Sequence, residues 1–151
     1  MNAIDQNILK LLLKDARTPH AHIADEVGLS RPAVAERVKK LETSGIIKGY
    51  SAVLDPASLG KHITAFVSAK LPGILETEIE QALKNLENNP EILEIHSIAG
   101  EDCFLIKVRT DDMKSLNKIV LLLKSPPLTM TTKTTIVLES YFEKVGGATL
   151  K

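Results

Sequence analysis

The chain has 151 residues, enough for one ordinary core or two small domains, and its 44% hydrophobic and 25% charged residues give the balance of a soluble globular protein. Nineteen basic and nineteen acidic side chains cancel, which argues against a chain that coats polyanions indiscriminately. The single cysteine, Cys103, excludes an internal disulfide and a thiolate metal cluster within one chain.

In chain order, Ile4, Ile8, Leu11 and Leu12 recur at helical spacing, with Leu9 alongside, and Asp5 is expected to cap this first helix, which should end near Asp15-Ala16-Arg17. Thr18 followed by Pro19 reads as a cap and a first-turn proline, whose missing N–H costs nothing there. A second helix is expected from about Pro19 to Val27, burying Ile23, Ala24 and Val27. Gly28 then stands where a helix ends in a left-handed conformation, Leu29 can return to the core, and Ser30 can cap a third helix. In that helix Val34, Val38 and Leu41 form the inward stripe, leaving Arg31, Pro32, Ala35, Glu36 and Lys39 on the outer flank.

Two short helices joined by a Gly-Leu-Ser turn are the pattern of a helix-turn-helix, which makes double-stranded DNA the first partner to consider. Charge supports it, since residues 1–50 carry eight Lys/Arg against six Asp/Glu while the remainder carries eleven against thirteen. Small residues on the outer flank permit close approach to a groove, and Arg31 and Lys39 can meet phosphate or a guanine edge. Arg37 and Lys40, at the margins, suit backbone neutralisation. The expected DNA-binding set is therefore Ser30, Arg31, Pro32, Ala35, Glu36, Arg37, Lys39 and Lys40. A plain three-helix bundle with a solvated basic face is the alternative, and it is the agreement of caps, charge and the following extended segment that favours DNA.

Thr43 or Ser44 with Gly45 stops the third helix, and residues 46–56 read as short extended segments with a bend at Lys48-Gly49, which fits a wing or a hinge. The expected division is a winged helix-turn-helix over 1–52, a linker over 53–61 and a second domain over 62–151. In the latter, Ile63, Ala65, Val67, Ala69 and Leu71 alternate with polar partners as a one-faced strand ended by Pro72-Gly73. Leu75, Ile79, Ala82, Leu83 and Leu86 return to helical spacing. Ile92 to Ile98 and Cys103 to Arg109 read as a hairpin about Ala99-Gly100-Glu101-Asp102. Asp111 or Asp112 can cap a helix carrying Met113, Leu116, Ile119, Val120 and Leu123. Ser125-Pro126-Pro127 breaks it, and Met130 to Ser140 is a β-branched final strand.

The order strand, helix, strand, strand, helix, strand is a split βαβ unit, so the fold class is α+β with a ferredoxin-like βαββαβ second domain. Two helices cover one sheet face, and the other is expected to pack on a second subunit, making a homodimer. His62, His96, Glu94, Glu101, Asp102, Asp111 and Asp112 form no metal signature or nucleophile motif, and His20 and His22 have no third ligand in sequence, so neither an enzyme nor a metal site is expected. Cys103 reads as a small buried hydrophobe. The Gly100 turn, taken to lie between two central strands, can offer backbone N–H groups to a carboxylate, and Glu101 or Asp102 can meet an ammonium. Such a site would suit a free amino acid, whereas a plain hairpin needs no ligand.

The chain resembles the Lrp/AsnC family of transcriptional regulators, the feast/famine proteins of bacteria and archaea, from Ile4 to about Glu143. The resemblance is carried by Ile4-Asp5-Gln6-Asn7-Ile8-Leu9, by Ile23-Ala24-Asp25-Glu26-Val27-Gly28-Leu29-Ser30, by Val34, Arg37-Val38 and Leu41-Glu42, and by Gly45-Ile46-Ile47-Lys48-Gly49-Tyr50. Leu54-Asp55-Pro56 with Leu59-Gly60 extend it, and Ala99-Gly100-Glu101 with Leu105-Ile106-Lys107-Val108 carry it into the second half. It implies a winged helix-turn-helix joined by a hinge strand to an αβ-sandwich (RAM) domain. It further implies dimers through the sheets, often octamers that bend or wrap DNA, and repression or activation of genes of amino-acid metabolism. Effectors, where they occur, sit near the Gly100 turn, giving Gly100, Glu101 and Asp102 as expected effector contacts. Aligned on Leu105 to Val108, Asp102 falls where the family often has an aromatic residue and Cys103 where it has an acidic one, a departure that implies an altered or absent effector site. No further cofactor is expected. An architectural protein that wraps DNA with little sequence choice is the alternative function. No stretch approaches the roughly 18 apolar residues of a membrane span. The first six residues also lack the order of a signal peptide, so a cytoplasmic, nucleoid-associated protein is expected.

Overall fold

The computed structural model describes residues 2–71, 73 and 76–143. The expected contributions of Pro72, Leu75 and the Ile79 side chain lie outside what is described. Two compact units form among the described residues, one running to Leu54 together with Glu143 and the other spanning Asp55–Phe142.

The first unit holds α1 (Ala3–Lys14), α2 (His20–Val27) and α3 (Arg31–Thr43). Its core is Ile8, Leu9 and Leu12 from α1, Ile23 and Ala24 from α2, and Val34, Val38 and Leu41 from α3, the apolar stripes that the 3.6-residue period places inward. Two expected caps differ. Asn2, not Asp5, starts α1, its side-chain oxygen accepting from Asp5 N at 2.9 Å, which frees the Asp5 carboxylate for another partner. Thr18 does not cap α2, because its hydroxyl turns back to donate to the Asp15 carbonyl at 2.6 Å, and Pro19 occupies the cap position without a side-chain bond. The segment after α3 is turn, bend and irregular chain with no strand, so the expected wing has no ladder, and Ile46, Tyr50, Val53 and Leu54 along it are exposed.

The second unit contains β1 (Ile63–Lys70), α4 (Glu76–Leu86), β2 (Ile92–Ser97), β3 (Phe104–Thr110), α5 (Met113–Lys124) and β4 (Thr131–Ile136). The strands form one antiparallel sheet in the order β2-β3-β1-β4, the ferredoxin-like arrangement. Period-2 alternation puts Ala65, Val67, Ala69, Phe104, Ile106 and Val108 into the core with Ala82 and Leu86 of α4 and Leu116, Ile119 and Leu123 of α5. The other face presents Thr64, Phe66, Ser68, Leu105, Lys107 and Arg109, all half-buried. Of the two candidate caps for α5, Asp112 takes the role, its carboxylate accepting from Ser115 N at 2.7 Å. The final strand is shorter than its β-branched run, ending at Ile136, after which Val137 N still donates to Thr64 O at 2.9 Å. Since β2 is an edge strand, the Gly100 turn joins an edge to a central strand and not two central ones.

Candidate DNA-binding surface

The joint between α2 and α3 follows from three residues. Gly28 closes α2 at φ +67, a left-handed backbone that a side chain resists, and Leu29 N donates back to Ala24 O at 3.0 Å to satisfy the helix end. Ser30 then caps α3, its Oγ accepting from Ala33 N at 3.3 Å, while Pro32 sits in the first turn. The outcome is a tight turn that aims α3 outward while Val34, Val38 and Leu41 stay anchored.

On the outward side Ser30, Arg31, Pro32, Glu36, Lys39 and Lys40 are exposed, and Ala35 and Arg37 are half-buried. The four cations of α3 differ in what holds them. Lys40 Nζ lies 2.8 Å from Glu36 Oε1 one turn away, both ends about 70% exposed, and this bond holds the Glu36 carboxyl below the usual carboxylate range. Arg37 Nη1 lies 2.8 Å from Asp5 Oδ1 on α1, with side chains only 32% and 18% exposed. Arg31 and Lys39 make no ion pair among the described residues. Shallow grooves of about 480 and 460 Å³ border α3, one lined by Ala33, Glu36 and Lys40 and the other by Ala35, Lys39 and His20.

Sequence reasoning missed a second tie. Tyr50 donates its hydroxyl to Glu42 Oε1 at 2.8 Å, fastening the segment after α3 to that helix's last turn, and burial first, then the Glu42 carboxylate, push the phenol up to about 12. Nothing local signals that pairing. The Asn2 cap did have a signal, an amide followed three residues later by an acid ahead of an apolar run.

In the second unit Gly100, Glu101 and Asp102 lie together in the β2–β3 connection, with Gly100 at φ +153, Glu101 exposed and Asp102 half-buried. The base of this turn is fixed by Cys103 N donating to Ala69 O and Ile98 N to Cys103 O, both at 3.0 Å. Cys103 itself is half-buried against the core. On the open face Glu94 bridges His96 at 3.1 Å and Lys107 at 3.3 Å, and those two bonds, His96 foremost, hold its carboxyl below the ordinary range. No group of three or more His, Cys, Asp or Glu suited to a metal occurs among the described residues, and no helix there is long and apolar enough to cross a membrane.

A helix-turn-helix with an outward third helix, followed by a βαββαβ domain, defines a class of DNA-binding regulators. Residues 1–42 match the AsnC-type helix-turn-helix domain and residues 64–146 the Lrp/AsnC ligand binding domain. The chain is 34% identical over 143 residues to the HTH-type transcriptional regulator FL11 of Pyrococcus horikoshii, covering 95% of this chain and 93% of that one. It is 36% identical over 145 residues to the leucine-responsive regulatory protein of Klebsiella pneumoniae, covering 92% and 85%. The crystal structure of the Mycobacterium tuberculosis leucine response regulatory protein LrpA is similar with a TM-score of 0.84 at 28% identity, over 95% of this chain and 97% of that one. The chain belongs to the Lrp/AsnC feast/famine family of transcriptional regulators, whose members are not enzymes.

Proposed function

We propose that the protein is a sequence-specific transcriptional regulator that binds double-stranded DNA as a homodimer, assembling further to an octamer, in the cytoplasm of its cell. The observation that carries this reading is the outer flank of α3, exposed and bearing in Arg31 and Lys39 two cations without an ion pair among the described residues. In this reading Arg31 and Lys39 meet phosphate or guanine, Ser30, Pro32 and Ala35 let the helix approach, Glu36 reads a base edge, and Lys40 turns to the backbone. Dimerisation is supported by the sheet face bearing Phe66 and Leu105, opposite the one that α4 and α5 cover, and by the exposed Val53, Leu54 and Leu59. Two-fold pairing sets half-sites about one helical turn apart, or multiples of it.

A free amino acid is the proposed effector, held at the turn of Gly100, Glu101 and Asp102. The match to a ligand binding domain and the leucine-responsive relative support it. Footprinting on the DNA upstream of the protein's own coding sequence, with and without each free amino acid, tests the whole reading. Periodic protection with altered extent in the presence of one amino acid is expected. Equal affinity for random DNA would favour an architectural protein, and no DNA binding at all would end the reading.

A further inference from the structure

DNA recognition by α3 requires that the helix keep one pitch on the bundle beneath it, and a directional polar contact adds to the packing that sets that pitch. One polar side-chain tie joins α1 to α3 among the described residues, the Arg37–Asp5 ion pair. Arg37 sits on the shoulder of α3, one residue before the buried Val38 and four before Leu41, and its guanidinium reaches back to α1 and not outward. Asp5 meets it from the first turn of α1, one turn before the fully buried Ile8, with its own cap duty taken by Asn2.

Electrostatics sharpens the point. Were Arg37 to leave for a phosphate, Asp5, only 18% exposed, would remain an uncompensated carboxylate beside a polyanion. We infer that Arg37 is a positioning residue: it holds α3 at its angle on α1 through Asp5 and does not contact DNA. This rests on the reading of α3 as the DNA-entering helix and removes one member from the contact set expected from sequence.

The two roles of Arg37 predict opposite results for Asp5→Asn. Removing a negative charge from a DNA-binding unit, and releasing Arg37, should strengthen binding if Arg37 serves phosphate. If the pair positions the helix, the same change weakens it.

The experiment titrates the full chain and its variants against a fluorescent duplex from the DNA upstream of its own coding sequence and a random duplex of equal length, across a salt series. Expected for both Asp5→Asn and Arg37→Gln is a loss of about tenfold on the upstream duplex, the scale of one coupled pair. Little change on random DNA and an unaltered salt slope should accompany it. The swap Asp5→Arg with Arg37→Asp should recover most of the loss. Equal or tighter binding by Asp5→Asn, or a slope reduced by about one in Arg37→Gln, overturns the inference. Thermal melts of the two single variants and the Asp5→Asn/Arg37→Gln double without DNA decide the pair separately, because additive shifts would show that no coupling exists. Failure of the wild type to bind either duplex would count against the DNA reading, not against the coupling those melts measure.

Discussion

The two units handle charge in different ways. In the sheet unit Glu94 joins His96 and Lys107, Arg109 Nε donates to Thr64 at 3.1 Å, and Lys61 meets Glu91 at 2.9 Å, so Lys107, Arg109 and Lys61 are held within the unit. In the helical unit one pair, Arg37–Asp5, points inward, while Arg31 and Lys39 face outward without one. A pair held within a unit ties its elements together, and a cation left outward on a helix is open to a partner of opposite sign. Under the proposed function, polyanion binding belongs to α3 and assembly and effector response to the sheet unit.

The sharpest break in that comparison comes from the cores. Ile8→Ala, at a fully buried position, should destabilise the helical unit by about 2–5 kcal/mol, enough to unfold a core this small. Amide exchange in the full chain should show protection lost from α1 to α3 and kept in the sheet. Ile106→Ala should do the reverse, and loss of protection across both units from either change would show that the chain folds as one. Next in size is the turn. At φ +67 a Gly28→Ala Cβ meets no atom within 4 Å but strains the backbone by about 1–2 kcal/mol, so the melt should shift down with weaker DNA binding.

Glu36→Gln should have a smaller and asymmetric effect. Removing a carboxylate from the outer flank and releasing Lys40 should raise affinity for random DNA several-fold while the preference for the upstream sequence falls, read by competition binding. The smallest effect belongs to Tyr50. Its folded pKa of about 12 exceeds the ordinary 10.0, so the folded state keeps a proton that the unfolded chain releases. The corresponding stability is complete below pH 10 and lost as pH rises toward 12. Tyr50→Phe should abolish that stretch of the stability profile and the late step in tyrosinate absorbance, and Glu42→Gln should move the step earlier.

Much of this was legible because it is local. Val34, Val38 and Leu41 announce a helix face by spacing, Gly28 and Ser30 announce a turn by backbone preference, and the alternation from Ile63 to Lys70 announces a one-faced strand. The errors share a cause in distance along the chain. Asp5 looked like a cap because its neighbourhood is helical, and only the packing of α3 on α1 brings Arg37, 32 residues away, to claim it. Tyr50 and Glu42 meet across the end of a helix that periodicity cannot see past. Thr18 points its hydroxyl back to donate to the Asp15 carbonyl and does not accept from the first turn of α2. The place of β2 at the sheet edge depends on strand order, which a hairpin pattern leaves open.

The central claim is that the outer flank of α3 meets the DNA backbone and bases. It is tested most directly by the salt dependence of binding for Arg31→Ala/Lys39→Ala against wild type, on the duplex from upstream of the protein's own coding sequence. The account predicts affinity reduced by at least tenfold and a slope of log affinity against log salt shallower by about two per helix, with the melting temperature unchanged. Unchanged affinity and slope in a folded double variant would contradict it.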